Sequence, residues 1–382
     1  MPISFKKAAL IGAAATALVV ALSQPLMAQA EIGAPARPQT PHAPFPYEAR
    51  DVVFAGGADG VRLAGTLTIP AKGKAMPAVV LVHGSGKTDR DEAAFGHRPF
   101  WVLADALSRA GYVVLRYDKR GVGQSTGDGR AATTLDFERD ARAAMRYLKQ
   151  VPEVDPARIA VVGHSEGGTI AVLLSGDPSP PAAAVSLGGM VAPFAQQMIL
   201  QEISTGRDDG ADEHYEAAVR DYYTRVEDAS RLTDDALRLA RMQAISKSWV
   251  EAFPASSRNH QAAEDSLLSH PAFIASHWFQ TFMRLDVASS IARGHGPLLL
   301  VNGSTDHQVA AGPNLGLARK ILGHETCARR TLLLENLNHL FQESASGSSN
   351  DYANIEQTIS PKAIRAVIEF LDSTLKTAGC SP

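Results

Sequence analysis

A chain of 382 residues, 45% hydrophobic and 20% charged, carries enough apolar material for a large core, and this composition excludes a disordered or fibrous protein. The formal charge is −3 and no Lys/Arg-rich run is present, which excludes a basic nucleic-acid footprint.

Lys6 and Lys7 precede a mostly apolar, uncharged run over residues 8–22; Pro25 then breaks the chain ahead of Ala28-Gln29-Ala30, an A-x-A cleavage pattern. A helix over that run spans about 22 Å, short of the roughly 30 Å hydrocarbon core of a bilayer. Residues 1–30 therefore read as a signal peptide and not as an anchor, and no Cys lies nearby for lipid attachment. Removing Lys6 and Lys7 takes the formal charge from −3 to −5. The expectation is an exported protein, periplasmic or secreted, without stable membrane insertion once the signal is gone. Five prolines between Pro35 and Pro46 forbid helix, so residues 31–46 read as an extended linker.

From Tyr47 the pattern becomes strands and helices. Residues 51–54 and 61–69 flank the Gly56, Gly57 and Gly60 cluster and read as a hairpin. Strands are expected over 78–82, 113–117, 159–162 and 182–187, with helices over 100–110 and 136–149 between them. Continuous Val/Ile/Leu runs suit parallel strands buried on both faces, so the fold class is α/β with a mostly parallel central sheet flanked by helices. Residues 190–296 read as helical, including a helix over 273–285 that carries Trp278, Phe279 and Phe282. Strands resume at 297–301 and 331–334, and a helix over 361–375 closes the chain. The core thus comprises 47–189 and 297–382, and the block between them reads as an inserted helical lid.

Gly163-His164-Ser165-Glu166-Gly167 is a G-x-S-x-G pattern between the strand 159–162 and a helical run over 169–174. A strand-turn-helix elbow exposes the serine hydroxyl at the carboxyl edge of a sheet, and the glycines let strand and helix approach. A serine hydroxyl needs a base, and the base needs an orienting acid; in this architecture they follow in the order Ser, Asp or Glu, His. Asp306 lies on the loop after the strand ending at Val301. His339 lies after the strand ending at Leu334, the single one of twelve histidines at a strand end beyond the acid. Backbone N–H groups for an oxyanion are expected from Glu166 and from Ser85 in the loop His83-Gly84-Ser85-Gly86, with Gly86 second. Gly84-Ser85-Gly86-Lys87-Thr88 also ends like a phosphate-binding loop. That pattern requires a glycine where Leu81 stands, which sets aside a nucleotide-binding reading.

Five stretches carry a resemblance. They are Val82-His83-Gly84-Ser85-Gly86, Arg116 through Ser125 (RYDKRGVGQS), Gly163 through Gly167, Asn302 through Val309 (NGSTDHQV) and Leu337 through Gln342 (LNHLFQ). Together they resemble the secreted or periplasmic serine esterases of the α/β-hydrolase superfamily, the dienelactone hydrolase and acetyl-xylan-esterase-like group. The resemblance covers about residues 50 to 375 and weakens through the insertion, where Ser276-His277-Trp278-Phe279 is a partial echo. It implies a metal-independent esterase, with no cofactor, acting on short acyl groups of a small-molecule ester. Relatives include peptidases and deacetylases, so a serine peptidase of the same fold stays open, as does a non-catalytic binding protein on this scaffold. Asp118 and Arg120 are read as structural, and Asp89, Arg90 and Asp91 either rim the entrance or form a solvated charge run. No metal-ligand spacing appears. Cys327 and Cys380 are either bridged or two free thiols, and both readings stand.

Overall fold

The computed structural model describes residues 36–71, 75–377 and 380; the signal-peptide segment and the start of the Pro-rich stretch lie outside them. Eight strands form one sheet: β1 (Tyr47–Ala55), β2 (Arg62–Pro70), β3 (Met76–Val82), β4 (Val113–Tyr117), β5 (Val154–His164), β6 (Ala183–Leu187), β7 (Leu298–Gly303) and β8 (Arg329–Leu334). Their order is β1-β2-β4-β3-β5-β6-β7-β8. β1 and β2 pair antiparallel, β2 pairs antiparallel with β4, and every later pair is parallel.

The period-2 pleat explains why the central strands carry unbroken apolar runs. In β3, Ala78, Val80 and Val82 enter one core while Val79 and Leu81 enter the other. α1 (Pro99–Arg109) and α12 (Pro361–Leu371) cover the Val79/Leu81 face. The opposite face is covered by α2 (Thr134–Leu148), α3 (Glu166–Ser175), α10 (Val287–Arg293) and α11 (Ala311–Leu322). α2 starts where Thr133 and Asp136 form a reciprocal capping box, and it buries Phe137, Ala141, Ala144, Met145 and Leu148 along one side.

Between β6 and β7 run α4 (Phe194–Asp208), α5 (Glu213–Ser230), α6 (Asp235–Glu251), α7 (Arg258–Asp265), α8 (Pro271–Ile274), α9 (His277–Phe282) and then α10. This insertion has its own core of Tyr215, Val219, Tyr222, Tyr223, Trp249 and Phe279. The single helix expected over 273–285 is broken. Ser276 is extended (ψ 149°), and its hydroxyl accepts the Phe279 N–H at 3.2 Å, which caps α9 as a new helix. The closing helix also stops earlier than expected, with α12 ending at Leu371 and a wider π turn following over Asp372–Lys376.

Two further expectations need correction. The described part of the Pro-rich stretch is not a free tether. The Arg37 guanidinium donates to the carbonyls of Phe95, Gly96, Ala353 and Ile355, and the Gln39 amide bonds both Thr358 and Ile359. Asp89, Arg90 and Asp91 neither rim an entrance nor sit in water as a charge run. Arg90 makes three hydrogen bonds to the carboxylate of Asp118, two from its guanidinium and one from its backbone N–H, and Asp91 pairs with the buried Arg116. Burial raises the Asp118 pKa, but the Arg90 hydrogen bonds and charge outweigh it and hold the group below its ordinary value. Cys327 and Cys380 are disulfide-bonded, with Cα atoms 5.7 Å apart. Among the described residues no helix is long and apolar enough to cross a membrane.

Candidate active site

Ser165 stands between the end of β5 and the start of α3 with φ 54° and ψ −118°, a conformation that L-residues rarely adopt. Its N–H donates to the Leu187 carbonyl at 2.8 Å, which ties the turn to β6. The flanking glycines are required sterically. A methyl group at Gly163 would overlap the Gly167 carbonyl, and one at Gly167 would overlap the Val82 carbonyl.

Asp306 and His339 come together on the loops after β7 and β8. The His339 Nδ1 is 2.9 Å from Asp306 Oδ2, and both side chains are buried. The N–H groups of Gln308 and Val309 donate to Asp306 Oδ1 at 2.9 and 2.8 Å, so the carboxylate is fixed on both oxygens. With Nδ1–H facing a carboxylate, the tautomer keeps Nε2 as the basic nitrogen. The His339 loop is closed on itself by reciprocal hydrogen bonds between Asn338 and Gln342. Gly188 passes so close that a methyl group there would lie 3.4 Å from both Asp306 Oδ2 and His339 Nδ1.

Ser165 opens into a cavity of about 620 Å³. Phe137, Met190, Phe273, Trp278 and Phe282 supply apolar wall, and Ser85, Lys119 and Glu166 also face it. Of the aromatic residues of α9, Trp278 and Phe282 line the cavity and also pack on the core of the insertion, while Phe279 sits in that core alone. Among the described residues no group of three or more His, Cys, Asp or Glu side chains is arranged to hold a metal ion.

Three buried groups around this site were not singled out from the sequence. The Glu92 carboxylate, on a residue with φ 52°, accepts the Gly84 N–H at 2.6 Å and contacts His164 Nδ1 at 3.0 Å. His164 Nε2 in turn lies 2.9 Å from the carbonyl oxygen of His339. Both His164 nitrogens face acceptors, so the imidazolium is the form that satisfies both. Burial lowers its pKa, but the Glu92 charge and hydrogen bond, with the His339 carbonyl, outweigh this and hold it above the ordinary value. The Lys119 ammonium, buried beneath the loop of Ser85, pairs with Glu166 at 2.8 Å. Nothing in the local patterns of Glu92, His164 or Lys119 announces these contacts, which join loops far apart in the chain.

The alpha/beta hydrolase fold family matches this chain over residues 77–345. Esterase EstD of Thermotoga maritima is 27% identical over 300 residues, a match covering 78% of this chain and 61% of that esterase. The chain therefore spans less than two thirds of that relative's length. Among solved structures, an esterase of Pyrococcus furiosus superposes with a TM-score of 0.51 at 16% identity, over 86% of this chain and 91% of its own. The acylaminoacyl peptidase of Pyrococcus horikoshii gives 0.50 at 16% identity, over 87% of this chain and 42% of its own. At these identities the likeness is one of fold.

Proposed function

Since the chain belongs to the α/β-hydrolase family, we propose that it is a serine hydrolase of carboxylic esters, with Ser165 as nucleophile, His339 as general base and Asp306 as the acid that orients it. The observation that supports this reading is the buried Asp306–His339 hydrogen bond, on the loops after β7 and β8, together with a serine in an elbow conformation after β5. Ser165 Oγ attacks the acyl carbonyl while His339 Nε2 takes its proton. The oxyanion is met by the N–H groups of Ser85 and Glu166, and the alcohol leaves with the proton returned by His339. Water, activated by the same histidine, then hydrolyses the acyl-enzyme.

Residues 190–296 act in this proposal as a lid, a role supported by Met190, Phe273, Trp278 and Phe282 in the cavity wall. Short acyl groups were expected; a cavity of about 620 Å³ with aromatic walls also supports longer or aryl acyl groups. Export is proposed from the charged, apolar and A-x-A segments of residues 1–30. N-terminal sequencing of the mature protein should begin at Glu31.

The test is turnover of p-nitrophenyl esters from acetate to octanoate by the parent and by Ser165→Ala. The variant should lose at least about 10⁴-fold in kcat, and a fluorophosphonate should label the parent alone. Persistent labelling of the variant would sink the assignment. Faster release of p-nitroaniline from peptidyl anilides than of p-nitrophenol from esters would make the protein a peptidase.

A further inference from the structure

The Lys119 side chain is 3% exposed and that of Glu166 is 1% exposed, yet no step assigned above uses either. A buried ion pair is poor evidence of a stability device, because apolar residues of similar volume often do as well. Its placement is more informative. Lys119 Nζ donates to the Gly84 carbonyl at 2.8 Å and to Glu166 Oε2 at 2.8 Å, and it sits 4.0 Å from the centre of the Phe137 ring. An ammonium has three protons, and these contacts hold it in one place.

Gly84 and Glu166 stand on either side of the proposed oxyanion site. A trans peptide is planar, with its C=O and N–H directed oppositely. Holding the Gly84 carbonyl on Lys119 therefore fixes the direction of the Ser85 N–H. The Gly84 N–H is fixed in turn by Glu92 at 2.6 Å. On the other side, the Glu166 side chain is held by Lys119, by the Thr134 hydroxyl at 2.7 Å and by the Trp278 indole N–H at 2.7 Å. Glu166 also supplies the second backbone donor.

We infer that Lys119 is a positioning residue for the oxyanion site: one buried ammonium sets the separation and direction of the two backbone N–H groups that receive the developing charge. The inference rests on the proposed reading of Ser165, Ser85 and Glu166. It accounts for a lysine at this position in a way that a surface-loop tie does not, since the ammonium reaches both Glu166 and the carbonyl of the peptide that bears the Ser85 N–H.

The experiment compares parent, Lys119→Met, Glu166→Gln and the double variant in p-nitrophenyl ester kinetics, in inhibition by an alkyl boronic acid and in thermal melting. A boronic acid captured by a serine forms a tetrahedral anion and so reports the oxyanion site directly. Lys119→Met should lower kcat about 10- to 100-fold with KM within about 3-fold, a fraction of the loss expected for deleting a donor outright. Boronate affinity should weaken by a similar factor. The single variant leaves a buried carboxylate without its cation and is open to misfolding. The double variant removes that charge, should melt near the parent, and should still show the kcat and boronate losses. Parental kcat in a folded Lys119→Met or double variant would overturn the inference, as would a loss confined to KM. A folded parent that turns over no ester would instead overturn the proposed function.

Discussion

Ser165 holds a backbone conformation that costs a non-glycine residue about 1–3 kcal/mol, and the surrounding turn must impose it. The imposition comes from Gly163 and Gly167, where no side chain fits. Gly167→Ala should therefore give little soluble protein, or one with a melting midpoint many degrees lower, as circular dichroism would show. The His164 imidazolium offers a second prediction. Its pKa is raised in the folded state, so its contribution to stability is complete below the unfolded value of about 6.5 and fades as pH rises through the raised one. The melting midpoint should fall as pH rises above about 6.5, and Glu92→Gln should flatten the fall. Equal slopes in parent and variant would dismiss the ion pair. The positions of Ser165, Asp306 and His339 beyond strand ends were legible in the sequence because each follows an apolar run in a fixed order. Lys119, Glu92 and His164 were not, since their partners lie 35, 47 and 72 positions away and only the fold brings them together.

α9 reaches the first residue of α3 through the Trp278 indole. Trp278 stacks on Phe282 with ring centres 5.0 Å apart and donates its N–H to Glu166 Oε1 at 2.7 Å. Trp278→Phe keeps an aromatic ring there and removes the donor. It should lower kcat about 3- to 10-fold while preserving the ranking of acyl lengths, a part of what one hydrogen bond to a charged group supplies, since Lys119 and Thr134 still hold the carboxylate. Trp278→Ala opens the cavity wall as well and should shift that ranking toward bulkier acyl groups; a chain-length series on both variants separates the two effects. The central strands were readable because burial on both faces keeps them mostly apolar. α11 was not, because Gly312, Pro313 and Gly316 dilute its apolar pattern. The break before α9 turns on one hydroxyl, that of Ser276, and Phe273 before it, with Trp278 and Phe279 after it, conceals it from pattern reading.

Across the whole molecule, the two ends of the described residues are fastened by different means. The Cys327–Cys380 bond closes 53 positions, and a loop of that length constrains the unfolded chain by about 4 kcal/mol. Replacing both cysteines by serine should lower the melting midpoint by roughly 6 °C, and dithiothreitol should reproduce the drop in the parent but not in the variant. Sequence alone could not choose between bond and free thiols, because the choice depends on where α12 returns the chain. The opposite end is held by Arg37 and Gln39, whose partners include Ala353, Ile355, Thr358 and Ile359. A ribosome delivers the N-terminal segment first and its seat almost last. Until that seat emerges, whatever must act on the leading end finds it unclasped, and completion of the chain then closes the interval. Chains cut short before Ala353 should accordingly exchange the backbone amide hydrogens of Gln39 and Thr40 with deuterium rapidly, and chains that include Ala353 to Ile359 slowly.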